Sequence, residues 1–277
     1  MSSADSAILI CDEDIDYDYI DDDTNYNREK LMLVSGSFYI SKDRESKPQG
    51  DDAHFINLEK QTIGLADGVG GWSRKGVDAG IYARELILNA EIAVREEPDD
   101  EVDPSRVLQK AWSATKSQGS ATACILSLQN NSLKVVNMGD SGFMLIRKGE
   151  DIYKSPIQQH RFNYPYQLQN NNDPANSPKK AQVFDIAMKP GDVVIAGTDG
   201  LFDNLSEGRI EAAARSGIEK GLAPEDIAWT VAEYAYKTSM DRNARTPFSR
   251  ASTKAGRNNP GGKQDDITVI VSYVIGS

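Results

Sequence analysis

Aspartate residues that could bind a metal ion stand in five short motifs, most of which follow an apolar stretch. The motifs are Gly50–Asp51–Asp52, Asp67–Gly68–Val69–Gly70–Gly71, Gly139–Asp140–Ser141–Gly142, Thr198–Asp199–Gly200–Leu201–Phe202–Asp203 and Gly262–Lys263–Gln264–Asp265–Asp266. A single Asp-Gly pair after a strand ordinarily forms a turn. Five such motifs in one chain favour another interpretation, in which strand ends at one edge of a sheet bring distant carboxylates together.

Carboxylates gathered in this way repel one another unless a cation neutralises them. An all-oxygen ligand set selects hard ions, so the motifs predict Mg²⁺ or Mn²⁺ ahead of Ca²⁺, and neither zinc nor copper. A glycine beside an aspartate lets the backbone approach closely, so that a carbonyl oxygen can join the ligands. Because the chain has only two histidines and two cysteines, a Cys/His zinc site is disfavoured.

The net charge of −11 is concentrated at the N-terminus. Residues 1–27 contain nine acidic residues and no basic residue, which leaves a charge of −2 on residues 28–277. Residues 1–30 are therefore predicted to form an acidic disordered tail. Asp14, Asp16 and Asp18 resemble the start of a calcium loop, but Tyr19 and Asn25 stand where such a loop needs Gly and Glu. No basic domain is left for binding nucleic acid.

Hydrophobic periodicity predicts many strands and two pairs of helices. The predicted strands are Leu31–Ile40, Ala53–Leu58, Thr62–Ala66, Ala121–Leu128, Leu133–Met138, Phe143–Arg147, Val183–Met188, Asp192–Ala196 and Ile267–Ile275. The predicted helices are one over Ala79–Val94, one capped by Asp103–Pro104, and two over Glu207–Lys220 and Pro224–Lys237. The basic segment Arg242–Lys263 is predicted to lack regular structure. The pattern indicates one α+β domain, and no apolar run reaches the ~18 residues that a membrane span needs.

Taken in order, the five motifs resemble those of the metal-dependent protein serine/threonine phosphatases of type 2C. The resemblance runs from about Leu31 to Tyr273, and is nearest to a branch with Ala-Asp-Gly-Val-Gly-Gly-Trp at residues 66–72. It implies a β-sandwich of two antiparallel sheets flanked by helical pairs, with a metal site at one end of the sandwich. It also implies a single phosphatase domain over residues 31–277.

The resemblance assigns metal ligands by motif position. It implies that Asp67 bridges two Mg²⁺ or Mn²⁺ ions and that the carbonyl of Gly68 binds one of them. Asp199 and Asp265 would complete the coordination of the second metal ion.

The resemblance also assigns positions around those ligands. Asp51 and Asp52 match an acidic pair that holds metal-bound water. Asp140 and Asp203 match positions linked with a more weakly held third ion, although a helix-capping turn is an equal alternative for Asp203. Lys47 stands where the family has a phosphate-binding Arg, and a lysine lacks the bidentate fork of arginine.

Other residues depart from the family pattern or have a structural interpretation. Val69 replaces a His that many members have after the Asp-Gly pair and that is thought to act as general acid. His54 is a possible substitute, but a strand histidine satisfied by packing is favoured. Trp72 and Trp112 are interpreted as core or site-wall residues, and Trp229 as core.

The function implied is hydrolysis of phosphoserine or phosphothreonine in proteins by a metal-activated water. Two alternatives are a catalytically weak pseudophosphatase that binds phosphoproteins and a hydrolase of small phosphate esters. A monomer in the cytoplasm or nucleus is expected, since cysteine usage fits a reduced compartment and no transit signal is seen. The resemblance leaves a chloroplast or mitochondrial location open.

Overall fold

The computed structural model describes residues 30–99, 101–149, 152–169 and 174–276. The acidic tail predicted for residues 1–30 lies outside the described residues, apart from Lys30. Within the described ranges, none of the helices combines the length and the apolar character that crossing a membrane requires.

The elements follow one another in the order that the periodicity predicts. The strands are β1 (Leu31–Ile40), β2 (Asp52–Asn57), β3 (Thr62–Gly68), β4 (Ala121–Gln129), β5 (Ser132–Met138), β6 (Gly142–Ile146), β7 (Tyr153–Lys154), β8 (Gln159–Arg161), β9 (Tyr164–Pro165), β10 (Gln182–Ala187), β11 (Val193–Gly197) and β12 (Ile267–Gly276). The α-helices are α1 (Ala79–Glu96), α2 (Pro104–Ala114), α3 (Asp199–Phe202), α4 (Glu207–Glu219), α5 (Pro224–Met240) and α6 (Pro247–Lys254). Short 3₁₀ turns cover Gly70–Lys75, Pro174–Asn176 and Pro178–Lys180.

Two five-stranded antiparallel sheets form the centre of the fold. One sheet has the order β1-β12-β11-β6-β7 and the other has the order β10-β5-β4-β3-β2, while β8 and β9 pair as a separate hairpin. The apolar cluster between the sheets draws from both of them, with Leu65 and Leu126 of one sheet and Phe143 and Ile270 of the other. The predicted sandwich of two antiparallel sheets is confirmed.

Strand β4 shows why the central strands are apolar throughout. All nine of its residues are buried, because helices cover one face of its sheet and the other sheet covers the opposite face. Cys124 on this strand is buried in the core, as predicted. Strand β10 lies at the edge of the same sheet, and its residues alternate between half-buried and exposed.

The two predicted helical pairs cover the outer faces of the sandwich. Helices α1 and α2 bury Tyr82 and Leu108 with apolar residues of β2 to β5. Helices α4 and α5 bury Ile210 and Val231 against β1, β6, β11 and β12. The start of α2 has the predicted cap, since the Asp103 side chain accepts a hydrogen bond from the backbone N–H of Ser105 at 2.9 Å.

Two predictions for the C-terminal third are wrong. The segment Arg242–Lys263 contains helix α6, whose first turn is fixed by Pro247 and by reciprocal hydrogen bonds between Thr246 and Ser249. Trp229 was predicted to be core, yet it is 51% exposed, because the apolar face of α5 consists of other positions.

An ion pair at the start of β11 offers a test of the fold. Arg147 donates two hydrogen bonds to Asp192, at 2.7 Å from Nε and 2.6 Å from Nη2, and the Asp192 side chain is only 1% exposed. Arg147→Met leaves that carboxylate buried without its cation, so we expect a loss of about 3–5 kcal/mol in the free energy of unfolding. Urea denaturation measures the loss.

Arg215 is the matched control, because it pairs with Glu211 on the surface of α4. Arg215→Met should change the free energy of unfolding by less than about 0.5 kcal/mol. Equal losses in the two variants would contradict a special contribution from the buried pair.

Candidate metal centre

The sheet register brings the aspartate motifs together at one end of the sandwich. Asp52 at the start of β2 is paired in register with Asp67 near the end of β3. Asp140 lies between the end of β5 and the start of β6, Asp199 follows β11, and Asp265 precedes β12. Antiparallel neighbours have opposite directions, so an end of one strand and a start of the next meet at the same edge. The predicted convergence of the motifs is observed.

Asp52 is buried between the two sheets. Its Oδ2 accepts hydrogen bonds from the hydroxyls of Thr198, at 2.9 Å, and Thr268, at 2.8 Å, whereas its buried Oδ1 has no hydrogen-bond partner. Burial raises the pKa of Asp52 to about 8, the nearby charge of Asp266 adds to the rise, and the two threonine hydroxyls oppose it. This carboxylate therefore lacks a compensating positive charge.

Asp67 lies among the other carboxylates. Its pKa is raised well above the ordinary range by burial first, and then by the charges of Asp199, Asp52, Asp265 and Asp140. These neighbours come from separate motifs, so the convergence of the motifs adds to the rise in pKa that burial causes. A cation beside Asp67 would remove the repulsion.

Asp199 and Asp140 each have one buried carboxylate oxygen without a hydrogen-bond partner. Burial raises the pKa of Asp199 well above its ordinary range, even though Lys263 pairs with it and lowers that pKa. Burial also raises the pKa of Asp140, to about 6, against a hydrogen bond that Gln159 donates to its Oδ2 at 2.8 Å.

Lys263 lies inside the carboxylate cluster. Its ammonium group contacts Asp199, lies 2.9 Å from Asp203 and 3.2 Å from Asp265, and its side chain is 15% exposed. Burial lowers the pKa of Lys263, but the three carboxylates outweigh that effect and the pKa is well above the ordinary value. The sequence placed Lys263 in a motif without giving it a role. Its position two residues before Asp265 was the available signal, because alternate residues of an extended chain share a face.

Asp203 has the capping role that was one of its two predicted interpretations, and the link with a third ion stays a prediction. Its backbone N–H donates to the carbonyl of Asp199 and ends the short helix α3, which is the capping role. Its carboxylate meets Lys263 and so belongs to the cluster.

Lys42 closes the other side of the cluster. Its ammonium group lies 3.0 Å from Asp51, 3.1 Å from Asp265 and 3.2 Å from Asp266. Burial lowers the pKa of Lys42, but the charges of Asp265, Asp266 and Asp51 raise it above the ordinary value. Arg44 lies away from this cluster, 3.7 Å from Glu233 of α5.

Asp266 positions Asp51 through the backbone. Its Oδ2 accepts a hydrogen bond from the backbone N–H of Asp51 at 2.9 Å, and its Oδ1 accepts bonds from the Lys42 backbone and the Tyr39 hydroxyl. The sequence named Asp266 only as a neighbour of Asp265. The contact joins residues 215 positions apart, which no local pattern reveals.

Lys47, the predicted phosphate ligand, lies beside the acidic pair. Its ammonium group contacts Asp51 and lies 2.6 Å from Asp78, the residue that caps α1. Arg84 of α1 reaches the same place and donates to Asp78 at 3.2 Å and to the carbonyl of Gly50 at 2.9 Å. The sequence did not predict Arg84 at the site.

Two glycines allow the close backbone packing of the site. Gly50 has a φ of 53°, and a Cβ there would collide with the Asp266 carboxylate. Gly68 donates its N–H to the Asp51 carbonyl at 3.1 Å, and a Cβ would meet the backbones of Asp51 and Ala79. A larger residue at either position would displace the strands that carry the aspartates.

His54 forms a hydrogen bond across the two sheets of the sandwich. Its Nε2 is 2.9 Å from the Ser37 hydroxyl of the facing sheet, and burial lowers its pKa. This contact supports the packing role favoured for it. Val69, which stands in place of the family histidine, has no proton to donate from its side chain.

The residues of the cluster fit a hard divalent cation. Three buried oxygens without hydrogen-bond partners belong to Asp52, Asp140 and Asp199, and carboxylate oxygens are the ligands that Mg²⁺ and Mn²⁺ prefer. In the part of the chain that the structure describes, no three acidic, histidine or cysteine residues are already arranged around an ion position. The ammonium groups of Lys42 and Lys263 lie between the carboxylates instead. Binding of a cation between these carboxylates would therefore require the two ammonium groups to move away.

Comparisons with known proteins identify the family of this chain. A family profile described as Stage II sporulation protein E (SpoIIE) matches residues 59–274. "Protein phosphatase PTC7 homolog fig" of Drosophila virilis is 35% identical over 245 residues, which is 80% of this chain and 77% of that protein. The chain belongs to the protein phosphatase 2C family.

Two further relatives differ in how much of their own length this chain covers. "Probable protein phosphatase 2C 55" of Arabidopsis thaliana is 49% identical over 247 residues, 89% of this chain but 53% of that protein. The chain therefore spans about half the length of that relative. The X-ray structure of the photosystem II phosphatase PBCP is 32% identical with a TM-score of 0.79, over 87% of this chain and 98% of that one.

The repulsion around Asp67 predicts an effect on the stability of the metal-free protein. Because its pKa is raised in the folded state, Asp67 loses its proton more easily in the unfolded chain, so the fold loses stability as pH rises above the ordinary value of 3.8. Asp67→Asn removes this titration, so we expect a gain of about 1–2 kcal/mol, or ~2–8 °C in Tm, in EDTA at pH 7. With excess Mn²⁺ the gain should disappear or reverse. Thermal unfolding in the two buffers measures both.

Asp185→Asn is the control, since Asp185 is exposed on strand β10. It should shift Tm by less than about 2 °C in either buffer. A lower Tm for Asp67→Asn than for the original protein in EDTA would contradict the proposed repulsion.

Proposed function

We propose that residues 31–277 form a single metal-dependent protein phosphatase domain, which hydrolyses phosphoserine and phosphothreonine in proteins. The observation that carries the proposal is the convergence of carboxylates from five motifs, several of them buried with unpartnered oxygens. The relatives reported above are named as protein phosphatases, which supports protein substrates rather than small phosphate esters.

Four residues are proposed to hold two Mg²⁺ or Mn²⁺ ions. Asp67 would be the ligand shared by the two ions, which is supported by the four other carboxylates whose charges act on it. The Gly68 carbonyl, Asp199 and Asp265 complete the set. Asp140, with Asp203 beside it, is the proposed place of a third and weaker ion.

The proposed ions would supply positive charge and a water of lowered pKa, which suit the hydrolysis of a phosphate ester. Asp51 and Asp52 would orient that water by accepting its hydrogen bonds. Asp52 is suited to this task, because Thr198 and Thr268 fix one of its oxygens and leave the other without a partner.

The substrate phosphate is proposed to meet the lysines beside Asp51. Lys47 and Lys42 are similarly accessible, with 36% and 33% of their side chains exposed, but within the described ranges Lys47 contacts only Asp51 and Asp78 and not Asp265 or Asp266. Lys42 is paired with three carboxylates and mainly balances their charge. Neither lysine offers the bidentate geometry of arginine.

Metal dependence is the first test. Release of phosphate from a phosphothreonine peptide should stop in chelator and return with Mn²⁺ or Mg²⁺, but not with zinc. Asp67→Asn should lower kcat about a thousandfold, which corresponds to ~4 kcal/mol of lost transition-state stabilisation. Full activity in chelator would refute the proposed metal centre, and Asp185→Asn should retain full activity.

The same assay separates the alternative functions. A small-ester hydrolase would turn over p-nitrophenyl phosphate better than the phosphopeptide, in terms of kcat/KM. A pseudophosphatase would bind the phosphopeptide in the presence of Mn²⁺ without releasing phosphate.

Lys47 provides a test of phosphate binding. Lys47→Ala should raise KM for the phosphopeptide about tenfold with little change in kcat, and Lys47→Arg should keep KM low. Lys237→Ala on the exposed face of α5 is the control, because its side chain is 70% exposed. An unchanged KM for Lys47→Ala would indicate that Lys42 or Arg84, and not Lys47, contacts the substrate phosphate.

The monomeric state and the cytoplasmic or nuclear location stay predictions. Gel filtration and a fluorescent fusion at the C-terminus would test them.

A further inference from the structure

A groove of about 520 Å³ lies on the segment that joins α5 to β12. Its walls come from both ends of the segment and from helix α6. The lining residues are Arg242, Asn243, Ala244, Arg245, Ser249, Arg250, Thr253, Asn258, Pro260 and Gly261.

Hydrogen bonds hold the walls of the groove in place. The Thr246 hydroxyl donates to the carbonyl of Gly261 at 2.9 Å, which ties the start of α6 to the end of the segment. The Ser252 hydroxyl accepts bonds from the backbone and the side chain of Asn259, at 3.2 and 3.1 Å. Both Thr246 and Ser252 are fully buried. The groove therefore has a defined shape.

The groove carries an excess of positive charge. Arg242, Arg245 and Arg250 are exposed, and within the described ranges none of them is within ion-pair distance of a carboxylate. The charge of Arg250 does help to lower the pKa of Glu207 on α4, so this arginine is partly compensated. No acidic residue lines the groove. Asp241 precedes it in the chain, and its carboxylate accepts a hydrogen bond from the backbone N–H of Asn243. Three guanidinium groups around one groove form a site for an anion with several oxygens.

The groove adjoins the proposed metal centre. Gly261 in its wall is two residues from Lys263, or about 7 Å along an extended chain. Phe248 of α6 donates its backbone N–H to the Asp203 carbonyl at 3.0 Å, and its ring lies 5.6 Å from the Lys263 ammonium group. A peptide bound at the metal centre would reach the groove within roughly three to six extended residues.

We propose that this arginine groove binds a second phosphate group of the substrate protein, a few residues away from the phosphorylated residue that is hydrolysed. The inference rests on the proposed phosphatase function and narrows its substrate class to multiply phosphorylated segments. A phosphate dianion matches the charge of the groove better than a single carboxylate does. Its three oxygens can also accept bonds from more than one guanidinium group.

Phosphopeptides that differ only in the second group test the proposal. Each peptide has one phosphothreonine as the target of hydrolysis. A second position, three to six residues before or after it, holds a non-hydrolysable phosphonate analogue of phosphoserine in one peptide, a glutamate in the next and an alanine in the third. At the best spacing, we expect the phosphonate to raise kcat/KM about tenfold over alanine, and glutamate to raise it less. High salt should reduce the gain.

The paired substitution Arg245→Gln/Arg250→Gln should remove that gain, so that the phosphonate and alanine peptides are hydrolysed with equal kcat/KM. Arg95→Gln/Arg215→Gln is the matched control, because both arginines lie on outer helices in pairs with a glutamate four residues earlier. It should keep the tenfold gain. Equal thermal unfolding temperatures of the two variants check that the groove variant is folded.

A binding assay in EDTA separates this inference from the proposed function. The peptide has the phosphonate and an alanine in place of the target, and fluorescence anisotropy should show binding about tenfold weaker in the groove variant. If the protein binds this peptide in that way but hydrolyses no phosphopeptide, the result would support the groove proposal and refute the proposed phosphatase function. Active hydrolysis with the same kcat/KM for all three peptides would overturn the groove proposal.

The acidic segment of residues 1–27 is the other candidate occupant. Binding of the phosphonate peptide that appears only after residues 1–29 are deleted would assign the groove to that segment and overturn the substrate proposal.

Discussion

The mutual repulsion of carboxylates buried at one end of a β-sandwich is the constraint on which the rest of this structure depends. Burial raises the pKa of Asp52, Asp67, Asp140 and Asp199, and each of these side chains would prefer water or a cation. The core of the sandwich must therefore stabilise the fold enough to hold them together. The fully buried strands β4 and β11 and the mostly buried strand β12 provide that apolar core, and the two helical pairs cover its outer faces.

Two lysines compensate part of the negative charge of these carboxylates. Lys263 and Lys42 each contact carboxylates from two motifs, three motifs in all, so each ammonium group partly substitutes for a cation. If the proposed divalent ion binds, a flexible lysine side chain could turn outward more easily than a buried arginine fork, which would fix one geometry. The same ammonium groups provide positive charge near the path of an anionic substrate.

Positive charge continues from the cluster to its rim. Helix α6 connects the two regions, because Phe248 contacts both Asp203 and Lys263 while Arg245 and Arg250 lie on the adjoining groove. On the opposite side, Gln159 of the hairpin β8–β9 binds Asp140, and Phe162 of that hairpin packs on Phe248 with ring centres 5.2 Å apart. The rim thereby links the surface that a substrate protein would meet to the carboxylates beneath it.

The sequence by itself determined the order and nearly all bounds of the main strands and helices, because periodicity and capping are local signals. It also indicated that the five aspartate motifs converge, since each one ends or begins a strand. Only the tertiary structure decided which groups face the carboxylates. Asp52 meets Thr268 across 216 positions, and Lys42 meets Asp265 across 223. Such contacts depend on sheet register and on the stacking of two sheets, which local patterns do not encode. Helix α6 is the converse case: its capping residues were visible at Thr246 and Pro247, but its length of only eight residues within a basic segment concealed it.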